Sequence, residues 1–204
     1  MNNNKEQDIQ SNVENLELYS DNYPFRLSLR ISTFESEAGF KKFIKNCENM
    51  LRKSSEYRLW RAYIVDVLQI NHCMITHESM DQVTIDVHHH IPSLSVLLSA
   101  LVNKKLEEAQ EFCTFDICEE AIVLHFQNKI GYTTLISSMH EKFHNGHLDI
   151  PIEVVKGDYR YFVANYSRYI EEDELDVINS RLARTVHNCS WARDNYPVAA
   201  SMGA

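Results

Sequence analysis

Val83-Thr84-Ile85-Asp86-Val87-His88-His89-His90-Ile91-Pro92 is the stretch on which the reading of this chain turns. Apolar Val83, Ile85 and Val87 alternate with Thr84, Asp86 and His88, the period of two that a half-buried strand requires. The strand runs into three consecutive histidines and Pro92 ends it, so imidazoles are delivered to a strand end. Downstream, Tyr132 to Ile136 is a short β-rich run. Ser138-Met139-His140-Glu141 then has the form of a capping box, with Ser138 as cap and Glu141 at the third helical position. Asn145-Gly146 stops this helix after about two turns. His140 and His144, four residues apart, share one helix face about 6 Å apart at Cβ. Both nitrogens can then reach one ion at a Zn–N distance of about 2.0–2.1 Å.

Nine of the ten histidines fall between His72 and His147; only His187 lies outside. Crowded imidazoles repel when charged, so such a cluster favours neutral, ligating rings. His72, His77, His125, His147 and His187 fit ordinary polar or buried roles, and His140, His144 and the triplet are the candidate site. Strict alternation puts His88 and His90 on one strand face, so either can serve as the strand's ligand.

The order His88-His89-His90-Ile91-Pro92, then Asn128, the β-run Tyr132 to Ile136 and His140-x-x-x-His144 resembles the HNH (ββα-metal) endonuclease family, most closely its histidine-rich, phage-encoded members. The resemblance covers about residues 71–150. It implies His88, His140 and His144 as ligands of one divalent ion (Mg²⁺, Mn²⁺, Zn²⁺ or Ni²⁺), His89 as general base and Asn128 as the residue that orients it. The implied activity is hydrolysis of DNA phosphodiester bonds to 5′-phosphate and 3′-hydroxyl ends. Two departures stand out. The 35 residues between Pro92 and Asn128 replace the short loop of compact members, which leaves Asn103 as a second candidate for the middle position. No C-x-x-C pair is present, so the fold must be held by its core rather than by a second zinc.

Working outward, residues 1–21 read as a disordered acidic tail. Residues 22–70 form a strand-and-helix subdomain: a strand over Phe25 to Ser32, a helix over Glu35 to Tyr57, and a second or continuing helix over Leu59 to Ile70. Residues 71–150 hold the metal-binding core, interrupted by helices over Ser95 to Glu111 and Asp116 to Gln127. In residues 151–204, Ile152 to Val155 and Tyr159 to Val163 are expected to form a hairpin around Lys156-Gly157-Asp158. A helix over Glu171 to His187 follows. The expected class is therefore α+β, a ββα-metal core with a helical insertion.

Charge and composition limit the partners. Net charge is −9, unfavourable for a polyanion binder. Residues 22–70 alone are basic, through Arg26, Arg30, Lys41, Lys42, Lys45, Arg52, Lys53, Arg58 and Arg61, and are the expected DNA footprint. Five cysteines without a C-x-x-C pair point to reduced, buried thiols. Glycine loops that cradle nucleotides are absent, and no apolar run of about 18 residues predicts a membrane span. Without a signal-peptide pattern the expected location is cytoplasmic; protein partners and a homo-oligomer stay open. Trp60, Trp191, Tyr161, Phe162, Tyr166 and Tyr169 fit core or interface packing better than base stacking.

Two other functions compete. His140-Glu141-Lys142-Phe143-His144 also satisfies H-E-x-x-H, the zinc metalloprotease motif, with Glu171, Glu172 or Glu174 available as third ligand. Alternatively, the histidines hold a structural ion, or none, in a non-catalytic module of a larger assembly.

Overall fold

The computed structural model describes residues 19–20, 23–24 and 31–182. Tyr19–Ser20 (β1) and Tyr23–Pro24 (β2) pair antiparallel. The strand expected over Phe25 to Ser32 falls mostly outside the described residues; within it, Ile31 bridges Phe112.

Helix α1, Glu37–Lys53, begins where Ser36 accepts a hydrogen bond from the Gly39 amide at 3.1 Å. It buries Phe43, Ile44, Cys47 and Leu51, one stripe at helical spacing. The expected continuation through Tyr57 is interrupted at Ser54, which is extended and caps a new helix, α2, Ser55–Ala62, by accepting from the Tyr57 amide at 3.0 Å. A π-helical turn, Tyr63–Val67, ends it. Strand β3, Ile85–His89, leads into α3, Leu94–Glu107, and α4, Thr114–Phe126. Helix α3 is buried almost all round, at Leu94, Val96, Leu97, Leu98, Ala100, Leu101 and Val102, and so forms the centre of the main core.

Strand β4, Tyr132–Ile136, returns antiparallel to β3 with His88 opposite Thr133 and His89 opposite Tyr132. Helix α5, Ser137–His144, follows at once. Ser138 lies inside this helix rather than capping it: the N-cap is Ile136, without a side-chain bond, because the strand turns directly into the helix. The expected two-turn length holds, and Gly146 takes the left-handed conformation (φ 72°) beyond its end.

The hairpin expected over 152–163 is not formed. A 3-10 turn, Ile152–Val154, and a helix, α6, Tyr159–Tyr166, occupy that stretch. Asp158 caps α6 by accepting from the Tyr161 amide at 3.1 Å, and Phe162 and Tyr166, four apart, give it a buried face. That face follows a period near 3.6, which the aromatic run Tyr159 to Val163 had masked as β-propensity. A final helix, α7, runs over 172–182. The described residues thus form a mixed α+β structure with seven α-helices.

Two apolar clusters hold it together. The larger joins α1, α2, α3, α4, α6 and α7, from Phe43 to Ile178, around Trp60 and Phe112. The smaller gathers Cys73, Ile75, Ile85, Leu135, Met139, Leu148, Ile150 and Val155 beneath α5. The β3–β4 pair lies between them, with Val87 and Tyr132 in the first and Ile85 and Leu135 in the second.

Gly157 locks the turn before α6: its φ is 83°, and a Cβ there would sit 2.0 Å from the Ile130 carbonyl oxygen. Gly157→Ala should therefore cost about 2 kcal/mol or more in urea unfolding. Gly146→Ala, which meets nothing within 4 Å, should cost only about 1 kcal/mol.

Candidate metal centre

The β3–β4 register sets the direction of every histidine in the triplet. Alternation sends His88 and His90 to the α5 side and His89 to the opposite side. The His88 ring lies 4.8 Å from the His140 ring and 5.5 Å from the His144 ring, centroid to centroid. One ring nitrogen from each of the three falls within 4.8 Å of the others. The Nε2 atoms of His140 and His144 are 2.9 Å apart, as expected for rings one turn apart on the exposed side of α5. Phe143, on the same helix, wedges against His88 (4.7 Å) and His90 (5.4 Å) and fixes their planes.

This donor set fits a divalent transition ion. His88 is 7% exposed and its Nε2 has no hydrogen-bond partner; the same holds for Nδ1 of His90 and Oγ1 of Thr133. Thr133 stands opposite His88 in the pair, so it faces the same side. Buried polar atoms rarely go unpaired, and an ion or water is a usual reason. Burial, helped by the nearby His140, depresses the His88 pKa to about 2. Burial lowers His140 too, with a further contribution from His144. At neutral pH burial therefore favours the uncharged form of His88 and His140, the form that can ligate an ion. His88 is buried, His140 half-buried and His144 exposed, so one side of the cluster is open.

His90 continues the same face but stands apart, its ring 6.1 Å from that of His88 and packed on Phe143. Burial and the Arg181 charge take its pKa to about 3. The geometry thus groups His88, not His90, with the helix pair.

His89 is not brought to the cluster. Its ring stacks on Tyr57 and Trp60 in the main core, and its Nε2 lies 2.9 Å from Nε2 of His125, whose Nδ1 donates to the Ala121 carbonyl oxygen at 2.6 Å. The role of general base expected for His89 is corrected on that ground: a ring turned into the core cannot meet a substrate water. Asn128 is likewise elsewhere. It is exposed, with φ 57°, in the turn after α4, where its carbonyl accepts from the Asp158 amide at 2.7 Å. Asn103 donates to the Tyr169 carbonyl oxygen at 2.8 Å and to Glu171 at 3.4 Å, tying α3 to the later chain. Glu171 is thus engaged away from α5, and the third member of the described cluster is His88 rather than a downstream carboxylate.

Three residues on the two sides of the strand pair gave little sequence signal. Thr133 could have been found from the alternation of β4 against β3. His125 fitted an ordinary polar or buried role, but its pairing with His89 depends on how α4 packs. Arg181 reaches the centre from α7, with its guanidinium carbon 5.3 Å from the Phe143 ring centre. The basic footprint is also less bare than its sequence implied: Lys41, Lys45, Arg52 and Arg61 pair with Glu37, Glu48, Glu48 and Asp86. Arg26 and Arg30 lie outside the described residues. Among the described residues no helix is long and apolar enough to cross a membrane.

A family model described as "Bacteriophage G278-like virion protein" matches residues 1–193. No curated protein and no solved structure matches the chain.

Equilibrium dialysis should find one Zn²⁺ or Co²⁺ per chain. His140→Ala and His144→Ala should weaken binding by more than the roughly 10–100-fold typical of an outer-shell change, and His90→Ala by less. A separate expectation concerns pH. Burial places His125 at about 4, below the ordinary 6.5, and His89 well below it. Between these values the unfolded chain binds a proton that the folded chain refuses, so stability falls as pH drops from 6.5 toward 4 and is unaffected above 6.5. Each such histidine contributes about 1.4 kcal/mol per pH unit. Urea titrations of His125→Gln between pH 4 and 7 should show a shallower slope than wild type.

Proposed function

We propose that this chain, which belongs to the bacteriophage G278-like virion protein family, is a metal-dependent nuclease with an HNH-like centre. The observation that carries the reading is the arrangement itself: an antiparallel strand pair followed directly by a helix, with one histidine from the first strand and two from the helix converging on one point. A divalent ion bound there supplies Lewis acidity toward a phosphate oxygen and toward water. His88, His140 and His144 fill three positions, and the exposed side at His144 leaves room for a phosphodiester. In the reaction, the oxygen of a water bonds to phosphorus and the P–O3′ bond breaks, leaving a 5′-phosphate and a 3′-hydroxyl. With His89 in the core, the proton of that water leaves on the open side, toward solvent. Mg²⁺, Mn²⁺, Zn²⁺ and Ni²⁺ are the ions to compare, three imidazoles favouring the later ones.

A second reading has its own support. The burial of His89 and the net charge of −9 suit an ion that holds α5 to β3 in a virion component, without catalysis. The protease reading is the weakest: α5 ends at His144, and His88 supplies what a downstream carboxylate would have to.

Plasmid nicking by metal-stripped protein with each ion added back separates these readings. A nuclease nicks with at least one ion and loses about 100-fold or more in His140→Ala, by analogy with other single-group removals at charge-stabilising sites, while Glu141→Gln keeps the activity. Stoichiometric metal with no nicking by any ion selects the structural site.

A further inference from the structure

Three side-chain atoms among the described residues are enclosed without a hydrogen-bond partner: Nε2 of His88, Nδ1 of His90 and Oγ1 of Thr133. They are not scattered. His88 and His90 share one face of β3, and Thr133 stands opposite His88 on β4. The rings of His88 and His90 are 6.1 Å apart, centroid to centroid, a separation that one water can bridge with bonds of ordinary length.

Thr133 is the informative member. It is fully buried in a strand, where valine would fill the same volume without a hydroxyl to desolvate. Its neighbour Thr134, on the opposite face, gives its hydroxyl to the His72 carbonyl oxygen at 2.6 Å. Thr133 finds no such acceptor, and the enclosed polar atoms on its own face are the two histidine nitrogens. The nitrogens of His88 also differ from each other: Nε2 is enclosed and unpartnered, and Nδ1 is not. An ion entering from the open, His144 side of the cluster meets Nδ1, which leaves Nε2 to carry the proton. A ligating histidine keeps its orientation by donating that N–H to an outer partner.

We propose that Thr133 and His90 are positioning residues of the metal centre: through one enclosed water they hold the Nε2–H of His88 and so present its Nδ1 to the ion. The water accepts from Nε2–H of His88 and from the Thr133 hydroxyl, and donates to Nδ1 of His90, so that all three atoms are satisfied. The inference rests on the metal centre of the proposed function and not on cleavage.

The test combines binding and spectroscopy on the full-length chain. Zn²⁺ affinity, by competition with a chromophoric chelator, is measured for wild type, Thr133→Val and Thr133→Ser, with the melting temperature of each metal-free chain. Thr133→Val should weaken Zn²⁺ about tenfold or more, the usual scale of an outer-shell loss. Its metal-free melting temperature should be unchanged or raised, because a buried hydroxyl becomes a methyl. Thr133→Ser should bind close to wild type. Equal affinity in wild type and Thr133→Val overturns the proposal, as does an equal loss in Thr133→Ser. Histidine ring-nitrogen NMR spectra of the Zn²⁺-loaded wild type test it without any substitution. His88 should carry its proton on Nε2 and the ion on Nδ1, and the reverse overturns the proposal. A wild type that binds no Zn²⁺ overturns it together with the metal centre, whereas stoichiometric Zn²⁺ without plasmid nicking removes the nuclease reading alone.

Discussion

Antiparallel pairing of β3 with β4 is the constraint on which the rest of this structure depends. Pairing His88 with Thr133 and His89 with Tyr132 assigns each histidine of the triplet to a face, and a slip of one residue would exchange the two sets. The register is held beyond the strands as well: the His90 amide donates to the Gly131 carbonyl oxygen at 2.9 Å and the Gly131 amide to that of Ile91 at 3.0 Å. Gly131 is there because a Cβ would fall 2.6 Å from the Ile91 carbonyl oxygen. The backbones thus approach so closely that a side chain at this position would push the strands apart.

Two polar constellations grow from the two faces. On one, His88, Thr133 and His90 carry buried atoms with no protein partner beside the half-buried His140 and exposed His144 of α5. On the other, His89 and His125 satisfy each other and are sealed by Trp60 and Tyr57. One pair is closed and belongs to packing; the other set is open on the side of His144. Their adjacency in sequence hides this difference, because neighbours along a strand share nothing but backbone.

The packing around the strand pair explains how an eight-residue helix can hold two histidines firmly. Met139 anchors α5 in the smaller core, and Phe143 braces it against His88 and His90. Both lie on the same helix as His140 and His144, so the helix cannot rotate about its axis without lifting an apolar side chain into water. The residues inserted between the strands build α3 and α4, and α4 carries His125 back to the reverse side of β3. The insertion is therefore the source of the core into which His89 turns.

Local periodicity made much of this legible in the sequence. The strand before the triplet, the helix pair His140 and His144, the stop at Gly146 and the helices of the insertion depend on neighbours within a few residues, and all appear where the pattern put them. What periodicity cannot carry is the partner across space. Alternation placed His88 and His90 together but did not choose between them, and the position of α5 over His88 made that choice. Resemblance gave His89 an outward role, and the packing of Trp60 and His125 turned it into the core. The aromatic run at Tyr159 read as strand until Asp158 capped it and the core took Phe162 and Tyr166 on one helical face. Arg181 lies within the helix expected over Glu171 to His187, and only the docking of α7 against Phe143 brought it beside the histidines. Sequence determines which faces an element has; which face meets which is decided by packing between residues far apart in the chain.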